Sequence, residues 1–521
     1  MNAGPDFIDP GYHALATGRP GRNLDPVLVG DNLVAPLYAH GADGADIAVV
    51  EGVMGLFDGR IGASVGVPAG STAHVAGLLG TPILLVVDAR GQSQSLAALL
   101  HGFATFDAGT RLAGVILNRV GSPRHEQVLR DACETVGLPV LGALPRATEL
   151  EVPSRHLGLV TAAEHGAAAR AAVDAMTAFV GAHVDLGAVV ALAAAKTGAT
   201  SWSAAEAVGQ PVTGDPVVAV AAGPAFTFGY AEHTELLTAA GARVVTFDPL
   251  RDELPDGTAA VLLGGGFPEQ YLPELSANTA LRQQIRTHCG PVHAECGGLT
   301  YLMDDLDGHP MCAVLAGSAR FTPKLSLGYR DAVTVTDSVV FPAGIRVTGH
   351  EFHRTTIDYT AEYSPAWKFR DATGATVADA PHTGRCSAAT CTPTPPPARP
   401  RSAGSSSTPL SSPGERERLP RRAATERQEG GGGRWRIGRP TAAGPAGLRR
   451  SRRARRRPHR HPRRGSHRRG HGHPARLSRR RPRRRLVRAG RHRRSRRQRR
   501  RRRRGGPAPH LLRPGRRRRR R

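Results

Sequence analysis

The sequence predicts an α/β chain: two domains built on parallel sheets, then an arginine-rich tail. Three observations predict it. Short β-branched runs alternate with Ala/Leu-rich amphipathic stretches in two series, over residues 1–190 and 215–384. Polar residues close the runs of the first series, at Glu51, Asp88 and Asn118, where doubly wound sheets place their ligands. Charge also divides abruptly. Residues 1–380 hold 23 Lys+Arg against 39 Asp+Glu, whereas residues 381–521 hold 49 Arg, no Lys and 4 Glu, within a chain of net charge +29.

In the first series, Ile47–Val50, Ile83–Val87 and Ala113–Leu117 are expected as buried parallel strands. Glu51 opens Glu51-Gly-Val-Met-Gly-Leu-Phe-Asp58-Gly59. A carboxylate at a strand end beside glycines can hold Mg²⁺ or orient a phosphate, and a loop acid or helix cap is an equally good reading of any one of them. Gly4-Pro-Asp6-Phe7-Ile8-Asp9-Pro-Gly-Tyr-His13 sets two acids around two apolar residues. A turn explains its Pro and Gly but not the acids or His13.

Residues 191–214, rich in Ala, Gly, Ser and Thr, read as a linker or short connecting helix. The second series is expected to place strands at Val217–Ala221, Arg243–Phe247, Ala260–Leu263 and Pro291–Ala294. Gly264-Gly265-Gly266 follows the third, and a glycine turn there can present N–H groups to an oxyanion. Ala294-Glu295-Cys296-Gly297-Gly298-Leu299 runs from a strand through a cysteine into a helix start. Such an elbow exposes a thiol and is expected to favour its thiolate. Cys133, Cys289 and Cys312 lack that setting and read as structural or incidental.

A membrane span is poorly supported. The long uncharged stretch Ile61–Val87 is broken by Gly, Pro, Ser, Thr and His, and no basic-then-apolar leader opens the chain. Six cysteines without CxxC spacing indicate neither a zinc site nor a disulfide framework, so a reducing cytoplasm is the expected location. The tail, from about Arg385, cannot bury enough apolar surface to offset chain entropy and is expected to be disordered. Arginine without a single lysine, mixed with Pro, Gly and Ala, is what out-of-frame translation of a GC-rich gene would give. A nucleic-acid-binding arm is the rival reading, and either tail would bind polyanions nonspecifically.

GPDFIDPGYH, GRPGRNLDP (18–26), EGVMGLFDG (51–59), GSTAHVAGLLGTPILLVVDA (70–89) and GVILNRVGSPRH (114–125) closely resemble the cobyrinate a,c-diamide synthase family, with its hydrogenobyrinate-using members. GGGFPE, AECGGLTYL (294–302), LGYR (327–330) and GHEFH (349–353) resemble the class I glutamine amidotransferase domain fused to that synthetase. The resemblance implies a dethiobiotin-synthetase-like P-loop domain that activates a corrin carboxylate with ATP and lets ammonia displace phosphate. Asp6, Glu51 and Asp58 fall on the family's acidic active-site positions. Phe7 and Ile8 fall where side chains influence corrinoid binding and the order of amidation. Glu51 is the candidate for Mg²⁺, and Asp6 and Asp58 could position metal, ammonia or the corrin side chain. Asn118 is the candidate neighbour of the adenine. Cys296 would attack L-glutamine, with Gly265 and Gly266 as the oxyanion hole. Whether the chain forms a homodimer is open.

The sequence departs from the family pattern twice. The family opens with a GxxxxGK[ST] phosphate loop ahead of GPD; no such loop is present, and the three lysines (196, 324, 368) lie elsewhere. Poor ATP binding is the expectation. The family's general-base histidine follows GHEFH in a Tyr-x-His-x-His-like segment, but here the resemblance fades between Asp379 and Arg385. His382 is outside the expected motif, and His350 and His353 are not evident substitutes, so slow glutamine turnover is expected. The rival functions are a cobyric acid synthase-like enzyme, which amidates other corrin side chains, and a nucleic-acid-binding protein acting through its tail.

Overall fold

In the N-terminal half, short extended segments meet side by side. β1 (Asn2–Ala3) lies between β2 (Asn23–Leu24) and β3 (Glu51–Gly52) in a parallel sheet. The intervening helices are α1 (Asp9–Thr17) and α2 (Asp31–Ala42). After α3 (Thr72–Leu79), a second parallel sheet forms from β4 (Ile83–Asp88), β5 (Leu112–Val120) and β6 (Val140–Pro145) in that order. Its crossovers are α4 (Ser95–Thr105) and α5 (Pro123–Thr135). Ser122 caps α5 by accepting the His125 N–H, with proline in the first turn. Leu96, Leu100, Leu117 and Leu129, all fully buried, fill the core between sheet and helices.

The structure, a computed structural model, describes residues 1–393 except 63–65, 148–149, 151–153, 156–157, 194–197, 372, 384–385 and 390–391. Lys196 and the arginine-rich segment beyond 393 therefore lie outside the described residues, as does the expectation of disorder there. Among the described residues no helix is long and apolar enough to cross a membrane.

The expected buried strand at Ile47–Val50 is not formed. Only Glu51–Gly52 pairs, and Ile47 and Val49 are 41% and 69% exposed. The reason is lateral: among the described residues β3 has β1 on one side and no strand on the other, and β4 likewise pairs only with β5. A parallel strand is buried on both faces when neighbours and helices enclose it, and these two edges are not enclosed.

A long helix, α6 (Ala167–His183), precedes the second half. There the chain builds a twelve-stranded mixed sheet. Its parallel part comprises β7 (Val217–Ala221), β8 (Arg243–Phe247), β9 (Thr258–Leu263) and β10 (Val292–Glu295), ordered β8-β7-β9-β10. α7 (Ala231–Ala239) and α8 (Thr279–Thr287) are crossover helices, and α9 (Gly297–Leu302) leaves β10. β11 (Met303–Leu306) leads to a long antiparallel hairpin of β12 (Leu315–Thr334) and β13 (Arg346–Tyr359). β14 (Ser364–Arg370), β15 (Thr376–His382) and β16 (Cys386–Ala389) return to the parallel part, where β16 pairs with β10. β16 is fully buried, so ordered structure continues past the expected boundary at 384, because β10 needs a neighbour on its outer edge. A last short strand, Thr392–Pro393, pairs with β13.

Both halves belong to one compact unit, Met1–Pro409. Arg22, 9% exposed, joins Glu232 and Glu235 on α7 at 2.6 and 2.5 Å, and His40 meets Glu235 at 3.0 Å. Tyr271 donates to Glu164 at 3.0 Å, and Arg60 pairs with Asp331.

Candidate active site

Two groups of chemically active residues flank a cavity that one member of each, Glu295 and Asp6, lines. The first is built on β10 and α9. Cys296 stands between them at φ 49°, ψ −109°, and its N–H donates to the Ala389 carbonyl at 2.8 Å. A non-glycine residue at positive φ carries strain that the surroundings must hold. Here the strand, the helix and β16 hold it. A Cβ on Gly298 would lie 2.2 Å from the Leu263 carbonyl, and one on Gly266 would lie 2.1 Å from the Ala225 carbonyl. Both glycines let backbones approach where no side chain fits.

The Gly297 and Gly266 N–H groups are turned to the Cys296 sulfur closely enough to favour its thiolate. Gly265 sits beside the Cys296 Cβ, and its carbonyl accepts the Phe228 N–H at 3.0 Å. The surroundings of the sulfur run against a ready thiolate. Burial pushes the Cys296 thiol up to about 12, and the Glu269 and Glu295 carboxylates push the same way, outweighing the two N–H groups. A resting thiol of this kind needs a base.

A small cavity of about 20 Å³ adjoins the thiol, lined by Gly266, Glu269, Cys296, Thr300, His353 and Thr355 among others. His353 comes from β13, which the hairpin lays over the elbow. His350 points elsewhere, edge-on to the Tyr329 ring at 5.2 Å, and burial and Arg330 lower its pKa to about 4. His382 ends β15 opposite Ser387 and does not line that cavity.

Sequence reasoning passed over His293 and Glu295. They stand two apart on one face of β10, with Nε2 and Oε1 2.8 Å apart, both buried. His233 of α7 feels both charges, and burial lowers its pKa.

The second group lies at the ends of β1 and β3. Asp6 accepts the Ile8 N–H at 2.8 Å, and His13 Nε2 meets Glu51 at 2.7 Å. Asp9, which the sequence reading left without a role, joins them. Burial, then Asp6 by charge and hydrogen bond, then Glu51, raise its pKa to about 7. Asp58 stays in its own turn, its N–H donating to the Gly55 carbonyl, and no hydrogen bond or ion pair among the described residues links it to the cluster. Among the described residues no three of His, Cys, Asp and Glu are arranged to hold a metal ion. Glu51, paired with His13, is the single carboxylate at the end of β3 that could serve a magnesium ion, which needs only one or two carboxylates beside waters and phosphates. The described lysines, 324 and 368, sit on β12 and β14, so no lysine stands at the β1–β3 ends to draw a nucleotide phosphate. Asn118 faces Asp88 across β4 and β5, and its side-chain carbonyl accepts the Arg119 N–H at 2.8 Å.

Between the groups lies a cavity of about 520 Å³. Asp6, Phe7, Ile8 and Asn23 line it from the first half, and His233, Gly264 and Glu295 from the second. Phe7 stacks on Phe228 at 5.3 Å and tilts against Tyr230 at 5.0 Å. Ile8 is buried with Tyr12, Ala169 and Phe267.

Comparison with known proteins agrees with this division. Residues 8–160 match the family model of the CobQ/CobB/MinD/ParA nucleotide binding domain, and residues 217–391 that of the CobB/CobQ-like glutamine amidotransferase domain. The hydrogenobyrinate a,c-diamide synthase of Mycobacterium bovis is 65% identical over 374 residues, 71% of this chain and 82% of that relative. The enzyme of the same name from Streptomyces coelicolor is 55% identical over 70% of this chain and 82% of its own length. A cobyrinate a,c-diamide synthase from Synechococcus is 38% identical over 68% of this chain and 79% of its own. The chain belongs to the hydrogenobyrinate/cobyrinate a,c-diamide synthase family, glutamine-dependent amidating ligases of cobalamin biosynthesis.

Proposed function

We propose that the chain amidates the a and c carboxylates of hydrogenobyrinate or cobyrinate, taking nitrogen from L-glutamine and energy from ATP. One observation carries the reading: a single cavity touches Glu295, next to the thiol, and Asp6, in the acid cluster. Cys296 attacks the glutamine amide and releases ammonia. The cavity beside Glu295 then offers it a path as the free base, since protonated ammonium has no lone pair to attack with. ATP is a co-substrate that turns the corrin carboxylate into an acyl phosphate, which a resting carboxylate needs in order to react. No phosphate contact and no step through Mg²⁺ is assigned, because the described residues supply neither a lysine cradle nor a metal ligand set.

The roles divide by chemistry. Asp9, with a pKa near 7, can accept the proton that the nitrogen sheds once ammonia has attacked the acyl phosphate, while Asp6 and Glu51 orient the nucleophile and the reacting carboxylate. Phe7 and Ile8 offer apolar surface to the macrocycle, and Gly265, Gly266 and Gly297 surround the tetrahedral oxyanion. Asp58 and Asn118 remain candidates for the nucleotide side. The synthetase domain is taken as 1–190, the connection as 191–214, and the amidotransferase domain from 215 to at least Pro393.

The test is isotopic. The chain is incubated with amide-¹⁵N glutamine, ATP, corrinoid and excess ¹⁴N ammonium, and the product is weighed. Two added amides carrying ¹⁵N support the reading. Two amides carrying ¹⁴N refute that path, other stoichiometries favour a cobyric acid synthase-like enzyme, and no amide refutes the reading.

A further inference from the structure

We infer that His353 is the imidazole that takes the proton of the Cys296 thiol in this protein. The inference rests on the amidotransferase reading above and concerns its first step. His353 and Cys296 line the same small cavity, and among the described residues no other histidine lines it. The imidazole is 9% exposed, yet its Nε2 has no hydrogen-bond partner. A buried ring nitrogen left unbonded is uncommon and calls for a reason, and a nucleophile that must lose a proton supplies one.

The surroundings suit a base. Nδ1 lies 3.3 Å from Thr355 Oγ1, so a proton held on Nδ1 and donated to that hydroxyl leaves Nε2 as the acceptor. The Glu351 carboxylate stands 3.7 Å from Nε2, beyond an ordinary hydrogen bond but near enough to pair with and stabilise an imidazolium. Arg330 holds Glu351 in place at 2.5 Å, both side chains being largely buried. Glu269 and Glu295, the carboxylates beside the sulfur, disfavour a thiolate, which makes the acceptor across the cavity necessary.

The step balances without another reactant. The sulfhydryl proton passes to His353 Nε2 and the sulfur lone pair forms a bond to the glutamine amide carbon. The C–N bond then breaks, and the imidazolium proton goes to the leaving nitrogen, giving ammonia. Water hydrolyses the thioester to glutamate and restores the thiol.

The test needs no ATP or corrinoid. The full chain is treated with 6-diazo-5-oxo-L-norleucine, a glutamine mimic, and separately with iodoacetamide, and labelling at Cys296 is followed by peptide mass from pH 6 to 10. His353→Asn is expected to slow both reagents at pH 7.5 by about 100-fold and to move the labelling profile to higher pH. His353→Gly is expected to regain labelling when free imidazole is added, which a packing role would not allow. Thr355→Val, a milder change that loosens Nδ1, is expected to slow labelling less. Unchanged labelling in His353→Asn, no imidazole rescue in a folded His353→Gly, or the same loss in His382→Asn would overturn the inference. If the glutamine mimic fails to label the unsubstituted chain, the amidotransferase reading fails, and this inference with it.

Discussion

Tyr329 donates its phenol to Asp25 Oδ2 at 2.9 Å, tying the β12–β13 hairpin to the start of the N-terminal half. The other oxygen of Asp25 accepts the Val27 and Leu28 N–H groups. Asp25 is 2% exposed, and burial raises its pKa to about 6 while the phenol and the two N–H groups hold it down. Tyr329→Phe removes a bond that favours the carboxylate, so the Asp25 pKa should rise further. The stability lost, about 1–3 kcal/mol, should be complete well above pH 6 and shrink as pH falls below it. Urea unfolding at pH 8 and pH 5 measures the difference, and an equal loss at both would contradict it.

Arg22 bridges two carboxylates of α7 from a site that is 9% exposed. Arg22→Met would leave Glu232 and Glu235 facing each other without their cation. Breaking a buried pair from one side costs about 3–5 kcal/mol. A drop of that order in urea unfolding, with a smaller one for Arg22→Lys, is the expected pattern.

Asp9 combines a function with a cost. Its pKa rises from 3.8 to about 7 in the fold, so the folded state loses stability as pH climbs between those values and no further above. Asp9→Asn should therefore raise the melting temperature at pH 8, with the gain fading towards pH 4. The same substitution should lower amidation while leaving glutamine hydrolysis intact. A melting shift equal at both pH extremes would show that the carboxyl is not strained by its charge.

Gly266 turns an N–H towards the Cys296 sulfur where no Cβ can fit. Gly266→Ala must move this loop, and losing one donor to an oxyanion costs about 100- to 1,000-fold in kcat. Glutamine hydrolysis should fall by that factor in a protein whose circular dichroism is unchanged. Gly102→Ala, at an open helical site with ordinary backbone angles, serves as the control.

Much of this arrangement was legible in the residues. The β-branched runs at 83–87, 113–117 and 217–221 became strands because their side chains suit a pleated, enclosed surface. The elbow at Cys296 was legible because two glycines after a strand leave few other backbones. What was hidden depends on distance along the chain. The exposure of Ile47 and Val49 follows from which strands lie alongside, which no local pattern records. The raised pKa of the thiol follows first from burial and then from Glu269 and Glu295, only one of which is its neighbour in sequence. His353 lines the same small cavity as the thiol because a hairpin folds over the elbow, and GHEFH gives no sign of that placement. The period-two pairing of His293 and Glu295 was readable and was missed.

The open edges of the two small N-terminal sheets bear on how the protein behaves at high concentration. β4 presents Val86, 58% exposed, beside backbone groups that no strand engages among the described residues, and Val49 lies just before β3. Such margins invite pairing between molecules. Crowded solutions should slowly cloud, and a lysine introduced at Val86 should keep them clear.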